Sequence, residues 1–154
     1  MKSILLIENN NDILENLIEY LKMEGYKILI ARNGIKGLEL AMEFIPDLII
    51  CDVLMPEMDG REVLRLLLET DKTSQIAFIF STCMSEKIDK AEALSHGADD
   101  YIIKPYELEN IAKMANKWIN SGSKRKSNTH KQSSPPNIEP VDPEFGSLNY
   151  VEVY

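Results

Sequence analysis

The residue of this chain best placed to do chemistry is Asp52, which ends a short apolar run, Leu48-Ile49-Ile50-Cys51, and precedes a turn-rich stretch. A short β-branched run bounded by turn formers predicts a strand buried on both faces of a parallel sheet. Asp52 would then bring a carboxylate to the carboxyl edge of that sheet, where open α/β sheets place their ligand sites. We therefore expect a functional site around Asp52.

Other polar side chains are predicted at the same edge. Glu8 and Asn9 follow the first apolar run, Thr82 ends the fourth strand, and Lys104 ends the fifth. Carboxylates brought together repel unless a cation or proton lies between them, and oxygen ligands of this kind suit Mg²⁺. With a metal and Lys104 neutralising a transferring phosphoryl group, Asp52 would act as its nucleophile and form an aspartyl phosphate.

The elements that position these residues alternate along the chain. Longer amphipathic segments separate five short apolar runs, at residues 4–7, 27–31, 48–51, 76–80 and 101–103. Strand and helix alternation of this kind predicts an α/β domain with a mostly parallel sheet and helices on both faces.

Three of the amphipathic segments differ in how strongly they predict a helix. The first has one apolar stripe and ends near Gly25, and the last has an apolar face that ends near Asn120. The segment 86–96 offers mainly Ile88, Ala91 and Leu94, so we expect it to be weakly anchored and either mobile or partner-facing.

Length and composition limit the class of protein. At 154 residues with 44% hydrophobic content, the chain has room for one domain, predicted at 1–121. The polar segment 122–154 predicts a disordered tail, and its Glu144-Phe145-Gly146-Ser147 matches the translation of two adjacent cloning sites, so we leave it out of the functional argument.

Charge and apolar patterning exclude several functions. A net charge of -8 argues against direct DNA binding, which needs clustered Lys and Arg. The sequence has neither a bilayer-spanning apolar run nor a signal peptide, so we expect no membrane partner. Two cysteines, Cys51 and Cys83, in or beside apolar segments suggest reduced thiols in a cytoplasmic protein.

Residues 1 to about 120 resemble the receiver domain of two-component response regulators. The resemblance rests on separated motifs in the expected order, at residues 4–9, 46–60, 82 and 97–105. It implies a three-layer αβα sandwich whose five parallel strands follow the flavodoxin-like order 2-1-3-4-5, with a cis bond before Pro105. It also implies a phosphoprotein that catalyses its own phosphorylation and turns over no external metabolite.

The resemblance gives each site residue a role. Asp52 would accept a phosphoryl group from a sensor histidine kinase or a histidine phosphotransfer protein, Lys104 would hold one phosphoryl oxygen, and Thr82 would bond another. Tyr101 matches the aromatic position that turns inward when the threonine moves. Thr82 and Tyr101 would thus signal to a downstream protein on the surface of the fourth helix, fifth strand and fifth helix.

The metal site departs from the family pattern. Glu8, Asn9, Asp52 and the backbone carbonyl of Leu54 match its ligand positions, but the family has an acid where this chain has Asn9. An amide keeps an oxygen donor and loses a charge, so we expect weaker Mg²⁺ binding. Leu54 and Met84 match the positions that control water access to the acyl phosphate, and neither orients water, which predicts slow self-dephosphorylation.

Each of these residues also has an ordinary interpretation. A strand-end aspartate is often a turn former, and Glu8, Asn9, Thr82 and Lys104 could be edge polarity, with Tyr101 a core aromatic. Asp59 before Gly60 predicts the cap of the third helix rather than a catalytic group.

Three functional hypotheses follow. The first is a single-domain receiver phosphorylated at Asp52 that signals through protein contacts, since no effector domain is predicted after it. The alternative is a pseudo-receiver that binds proteins independently of phosphorylation, as Asn9 suggests. The third, an unrelated flavodoxin-like enzyme, is weaker because Glu8-Asn9-Asn10-Asn11 is not a glycine-rich phosphate loop.

Overall fold

The computed structural model describes residues 1–83, 89–123 and 125 of the chain. These residues form a parallel five-stranded sheet of order β2-β1-β3-β4-β5, which confirms the predicted flavodoxin-like topology. The strands are β1 (Ser3–Ile7), β2 (Lys27–Ala31), β3 (Leu48–Asp52), β4 (Ala77–Cys83) and β5 (Asp100–Lys104).

Helices connect the strands and cover both faces of the sheet. Within the described ranges they are α1 (Asn11–Met23), α2 (Gly34–Phe44), α3 (Gly60–Leu68), α4 (Lys90–Ser95) and α5 (Leu108–Ser121), with a helical turn at Asp71–Ser74 before β4. The first helix ends as predicted, because Gly25 adopts the left-handed φ of 93° that glycine tolerates best.

The core has two halves, one on each face of the sheet. Leucines of α1 and the apolar face of α5, including Trp118, pack on one side. The buried faces of α2 and α3, with Ala93 of α4, pack on the other. The molecule is therefore the three-layer αβα sandwich that the sequence predicts.

Two elements differ from the sequence prediction. β4 ends at Cys83, one residue beyond the predicted end at Thr82, because its pairing with β5 extends to the register Cys83 to Lys104. In α4 the residue buried against the sheet is Ala93, whereas Ala91 is exposed and Leu94 half-buried, so the predicted apolar stripe was wrong there. Residues 86–88 lie outside the described ranges.

Two residues after the end of α5 at Ser121 still contact the domain. Ser123 is buried, and Arg125 bonds to residues at the amino-terminal edge of the sheet. Apart from these residues and Gly122, the tail predicted at 122–154 lies outside the described part of the chain. Within that part, no helix is long and apolar enough to cross a membrane.

Candidate phosphorylation site

Three charged side chains meet at the carboxyl edge of the sheet. Asp52 is the last residue of β3, and Lys104 is the last residue of β5. Glu8 directly follows β1, and its N–H extends the ladder by donating to the carbonyl of Ala31 at 3.0 Å. All three residues are nearly buried, with relative exposures of 6% for Glu8, 9% for Asp52 and 7% for Lys104.

The ammonium of Lys104 is shared by the two carboxylates. Its Nζ lies 2.8 Å from Oε2 of Glu8 and 3.3 Å from Oδ2 of Asp52. Burial opposes the charge of Lys104, but the hydrogen bond and charge of Glu8, with those of Asp52, outweigh it and raise the pKa of the ammonium. Lys104 is therefore a cation at neutral pH.

The asparagines after Glu8 have different surroundings. Asn9 is exposed. Asn10 caps α1, since its Oδ1 accepts from the N–H groups of Asp12 and Ile13 at 3.0 and 3.3 Å. The Asn10 N–H also donates to Oε1 of Glu8 at 3.3 Å, so the start of α1 holds the Glu8 carboxylate in place.

The donors at this edge fit a weakly held Mg²⁺. Among the residues that the structure describes, no group of three or more Asp, Glu, His or Cys could hold a metal. Mg²⁺ commonly uses one or two protein carboxylates with water and phosphate, which Glu8 and Asp52 can supply. The shared ammonium of Lys104 already neutralises part of their charge, so the protein offers little surplus negative charge.

The loop after Asp52 folds back closely on its own strand. The N–H of Gly60 donates to the carbonyl of Val53 at 2.7 Å, and a Cβ at Gly60 would lie 2.3 Å from the carbonyl oxygen of Asp52. Asp59 caps α3 as predicted, since its Oδ1 accepts from the N–H of Arg61 at 2.8 Å. The side chain of Leu54 is 53% exposed.

Thr82 lies on the other face of β4 from the charged cluster. Ser81 pairs with Asp52 across the sheet, and side chains alternate along a strand, so Thr82 faces the α2–α3 layer. Its hydroxyl donates to the carbonyl of Cys83 at 3.3 Å. Tyr101 pairs with Phe80, which shares the face of Thr82, and its half-buried ring packs against the core there. Thr82 and Tyr101 therefore share one face of neighbouring strands.

Sequence reasoning missed Tyr106 at this edge, where it lies near Ser81, a residue predicted with Thr82 at the end of the fourth strand. Tyr106 and Ser81 line a small cavity together with Glu8 and Asp52. Burial, opposed by Lys104 and supported by Glu8, raises the pKa of the Tyr106 phenol to about 12. The sequence offered one signal for Tyr106, its position directly after the cis Lys104–Pro105 bond that the resemblance implies.

A groove of about 670 Å³ opens beside the cluster. It runs between the start of α1 and the connection from β5 to α5. Its walls include Ile13, Pro105, Tyr106 and Leu108, and Lys104 reaches its floor from β5. The cluster is therefore approached over a largely apolar surface.

Known proteins share both the sequence and this architecture. Residues 4–116 match the response regulator receiver domain. The probable transcriptional regulator ycf29 of Porphyra purpurea is 33% identical over 132 residues, which are 86% of this chain and 63% of that protein. The chain spans about half the length of several other curated relatives.

Solved structures give the same result. The signal receiver domain of a histidine kinase from Syntrophus aciditrophicus is 30% identical, with a TM-score of 0.71 over 90% of this chain and all of that one. At 24% identity and a TM-score of 0.71, the receiver domain of a Pseudomonas aeruginosa sensor histidine kinase, which holds a magnesium ion in its active-site cleft, covers 77% of this chain and 98% of its own. The chain belongs to the response regulator receiver domain family, the signalling modules of two-component systems.

Proposed function

We propose that this receiver domain accepts a phosphoryl group on Asp52 from the phosphohistidine of a sensor histidine kinase or a phosphotransfer protein. The observation that carries the proposal is the position of the Lys104 ammonium, 3.3 Å from the Asp52 carboxylate at the open edge of the sheet. A carboxylate nucleophile with an adjacent cation is the arrangement that phosphoryl transfer requires.

The transfer balances without another reactant. An Asp52 oxygen forms a bond to phosphorus as the phosphorus–nitrogen bond of the phosphohistidine breaks, and the leaving imidazole nitrogen keeps that electron pair. Lys104 would move from Asp52 to a phosphoryl oxygen and hold part of the charge that develops. The apolar groove beside Lys104 gives the donor protein a surface on which to align its histidine.

Glu8, Asp52, the amide of Asn9 and the carbonyl of Leu54 are the residues that would hold Mg²⁺. When bound, the ion would neutralise charge on the phosphoryl oxygens. The presence of magnesium in the Pseudomonas receiver supports this assignment. Asn9 contributes no charge, so we expect the resting protein to bind Mg²⁺ less tightly than a receiver with an acid at that position.

Thr82 and Tyr101 would carry the signal away from Asp52. Thr82 faces away from Asp52, so its hydroxyl would have to turn around the strand end towards a phosphoryl oxygen. This movement would leave space that the ring of Tyr101, on the same face as Thr82, can fill. The affected surface is formed by α4, β5 and α5, where Ile103 is 40% exposed. We propose that the downstream protein binds there.

One observation favours the alternative, a pseudo-receiver that binds proteins without phosphorylation. Lys104 is closer to Glu8 than to Asp52, at 2.8 Å against 3.3 Å, so the resting site is already closed by ion pairs. Together with the uncharged Asn9, this arrangement could hold the domain permanently in one conformation.

Intact mass after incubation with a small acyl phosphate and excess Mg²⁺ separates the two. We expect the parent to gain one phosphoryl group and Asp52→Asn to gain none. Asp59→Asn is the matched control, because Asp59 is also a carboxylate near this edge but serves as a helix cap. It should be modified as the parent is.

Failure of the folded parent to gain mass, from the acyl phosphate and also from a phosphorylated histidine phosphotransfer protein, would support the pseudo-receiver. A gain that persists in Asp52→Asn would place the acceptor elsewhere and contradict our proposal. Proton NMR of each variant checks that the fold is intact.

We also predict that the phosphorylated form loses its phosphate slowly. Leu54 cannot hydrogen-bond a water molecule, and its exposed side chain lies two residues from Asp52. The second family position, Met84, lies outside the described residues. Leu54→Asn should shorten the half-life measured by mass, and a parent half-life of seconds would contradict the prediction.

A further inference from the structure

The amino-terminal edge of the sheet, opposite Asp52, contains a niche for a guanidinium group. Its acceptors are the backbone carbonyls of Ser74, Ile76 and Gly97 and the carboxylate of Asp99. Arg125 occupies it, with Nε 3.1 Å from the carbonyl of Ser74 and Nη2 2.5 Å from that of Ile76.

Asp99 is the centre of the niche. Its carboxylate is 2% exposed, and Oδ2 accepts from the N–H of Phe78 at 2.8 Å as well as from Nη1 of Arg125 at 3.3 Å. Oδ1 accepts from the hydroxyl of Ser123 at 2.9 Å, and that hydroxyl in turn accepts from the backbone N–H of Arg125 at 3.2 Å. Two side chains that follow α5 thus converge on one buried carboxylate.

The geometry of these bonds needs an arginine. A planar guanidinium offers five N–H donors in a fixed fork, whereas an ammonium is a single point of charge. Here Nε, Nη1 and Nη2 each reach a different backbone carbonyl, from Ser74, Gly97 and Ile76. The acceptors come from two separate loops, so one side chain bridges both.

We propose that Ser123 and Arg125 form a tether that docks the segment after α5 into this niche and clamps the loops that lead into β4 and β5. These strands carry Thr82 and Lys104 at their other, carboxyl ends, and Tyr101 lies at the start of β5 close to the niche. The tether thus lies at the edge of the sheet opposite Asp52. The tether is independent of the proposed function, since it requires no phosphorylation.

Hydrogen exchange on the full chain tests the clamp. Arg125→Ala should raise exchange at the amides of Phe78, Gly97 and Asp99 by at least about tenfold, as expected for the loss of hydrogen bonds to a charged group. Arg125→Lys keeps the charge but not the fork, and should give an intermediate increase. Arg65→Ala removes an arginine that pairs with Glu62 and Glu69 on the surface of α3 and at its end, and it should leave these amides unchanged.

Strand β1, which β3 separates from β4, distinguishes a clamp from general destabilisation. Its amides should exchange within about twofold of the parent in every variant, since β1 is remote from the niche. Equal increases in β1 and at Phe78 would mean that Arg125 only adds global stability and would overturn the proposal. Unchanged exchange at Phe78, Gly97 and Asp99 in Arg125→Ala would overturn it as well.

Tryptic cleavage after Arg125 gives a second measurement that keeps the arginine. In the parent the docked segment should be cut slowly there. Ser123→Ala removes the hydroxyl that bonds Asp99, so cleavage after Arg125 should become about tenfold faster. Equal cleavage rates in the parent and Ser123→Ala would show that the segment is not held and would contradict the tether.

Discussion

Replacing Lys104 with methionine tests the electrostatics of the site directly. The substitution keeps an unbranched side chain of similar volume and removes the cation that Glu8 and Asp52 share. Their nearest oxygens lie 2.8 and 3.3 Å from Nζ, so they are no more than about 6 Å apart. At an effective dielectric constant of about 20, two like charges at that distance repel by roughly 3 kcal/mol.

The free energy of unfolding of Lys104→Met at pH 7 should therefore be about 3 kcal/mol below that of the parent, in the range found for removing one partner of a buried ion pair. Protonation of either carboxylate removes this repulsion, so the folded variant takes up a proton more readily than the unfolded chain. Its deficit should therefore shrink as the pH is lowered from 7 into the acid range.

In the parent, the pH dependence of stability concerns a base, Lys104, so stability is lost as the pH rises and not as it falls. The pKa of Lys104 is raised, so its ion pairs stabilise the fold fully below the unfolded-state value of about 10.4 and are lost as the pH rises above it. The parent should thus lose more stability at alkaline pH than Lys104→Met does.

Urea unfolding followed by the fluorescence of Trp118 measures these differences, since this residue is the only tryptophan and is 4% exposed. Lys113→Met is the matched control: Lys113 pairs with Glu109 at 3.1 Å, but both side chains are largely exposed, so the cost should stay below about 0.5 kcal/mol. Glu8→Gln added to Lys104→Met should restore stability by removing the repulsion. A deficit below 0.5 kcal/mol for Lys104→Met, or one independent of pH, would refute this account.

Four other substitutions test separate parts of the structure. Asn9→Asp should tighten Mg²⁺ binding about 30-fold in calorimetry, since a divalent ion gains roughly 2 kcal/mol from one more charge about 4 Å away in water; equal affinities would exclude Asn9 from the site. Gly60→Ala should lower the free energy of unfolding by about 2 kcal/mol, because its Cβ would lie 2.3 Å from the Asp52 carbonyl oxygen. Ile45→Asn should raise it by about 1 kcal/mol, because the β-branched Ile45 has a φ of 43° that asparagine tolerates better; a decrease would contradict this. Tyr106→Phe should remove the phenol that ionises last in an ultraviolet titration, and with it the stability that the parent loses as the pH rises from 10 to about 12.

The sheet and its edge could be predicted from the sequence because their signals are local. Each strand is an apolar run between turn formers, and the positions of Asp52 and Lys104 at strand ends follow from where those runs stop. Strand order came from the resemblance, since an apolar run does not specify its neighbour. The stripe of α4 was wrong because a six-residue helix has too few turns to distinguish Ala91 from Ala93 as the buried position.

The niche around Arg125 could not be predicted for a different reason. Its acceptors are backbone carbonyls of Ser74, Ile76 and Gly97, and these carry no sequence signal. The surrounding segment has the composition of a disordered chain, and only the three-dimensional proximity of Asp99 gives Ser123 and Arg125 partners. Composition predicts whether a segment can form its own core, not whether it docks on another.

Charge balance predicts that Asn9 would matter more before the proposed phosphorylation of Asp52 than after it. Glu8, Asp52 and Lys104 carry a formal charge of one negative unit in total. A phosphoryl group on Asp52 replaces its single charge by about two, so the cluster becomes more negative and attracts a divalent cation more strongly. With Asn9 the phosphorylated cluster and one Mg²⁺ are together neutral, whereas an acid at that position would leave them negative. Under the proposed function, Asn9 would weaken the resting site and leave the phosphorylated site compensated, so we expect metal and phosphoryl group to bind together rather than the metal first.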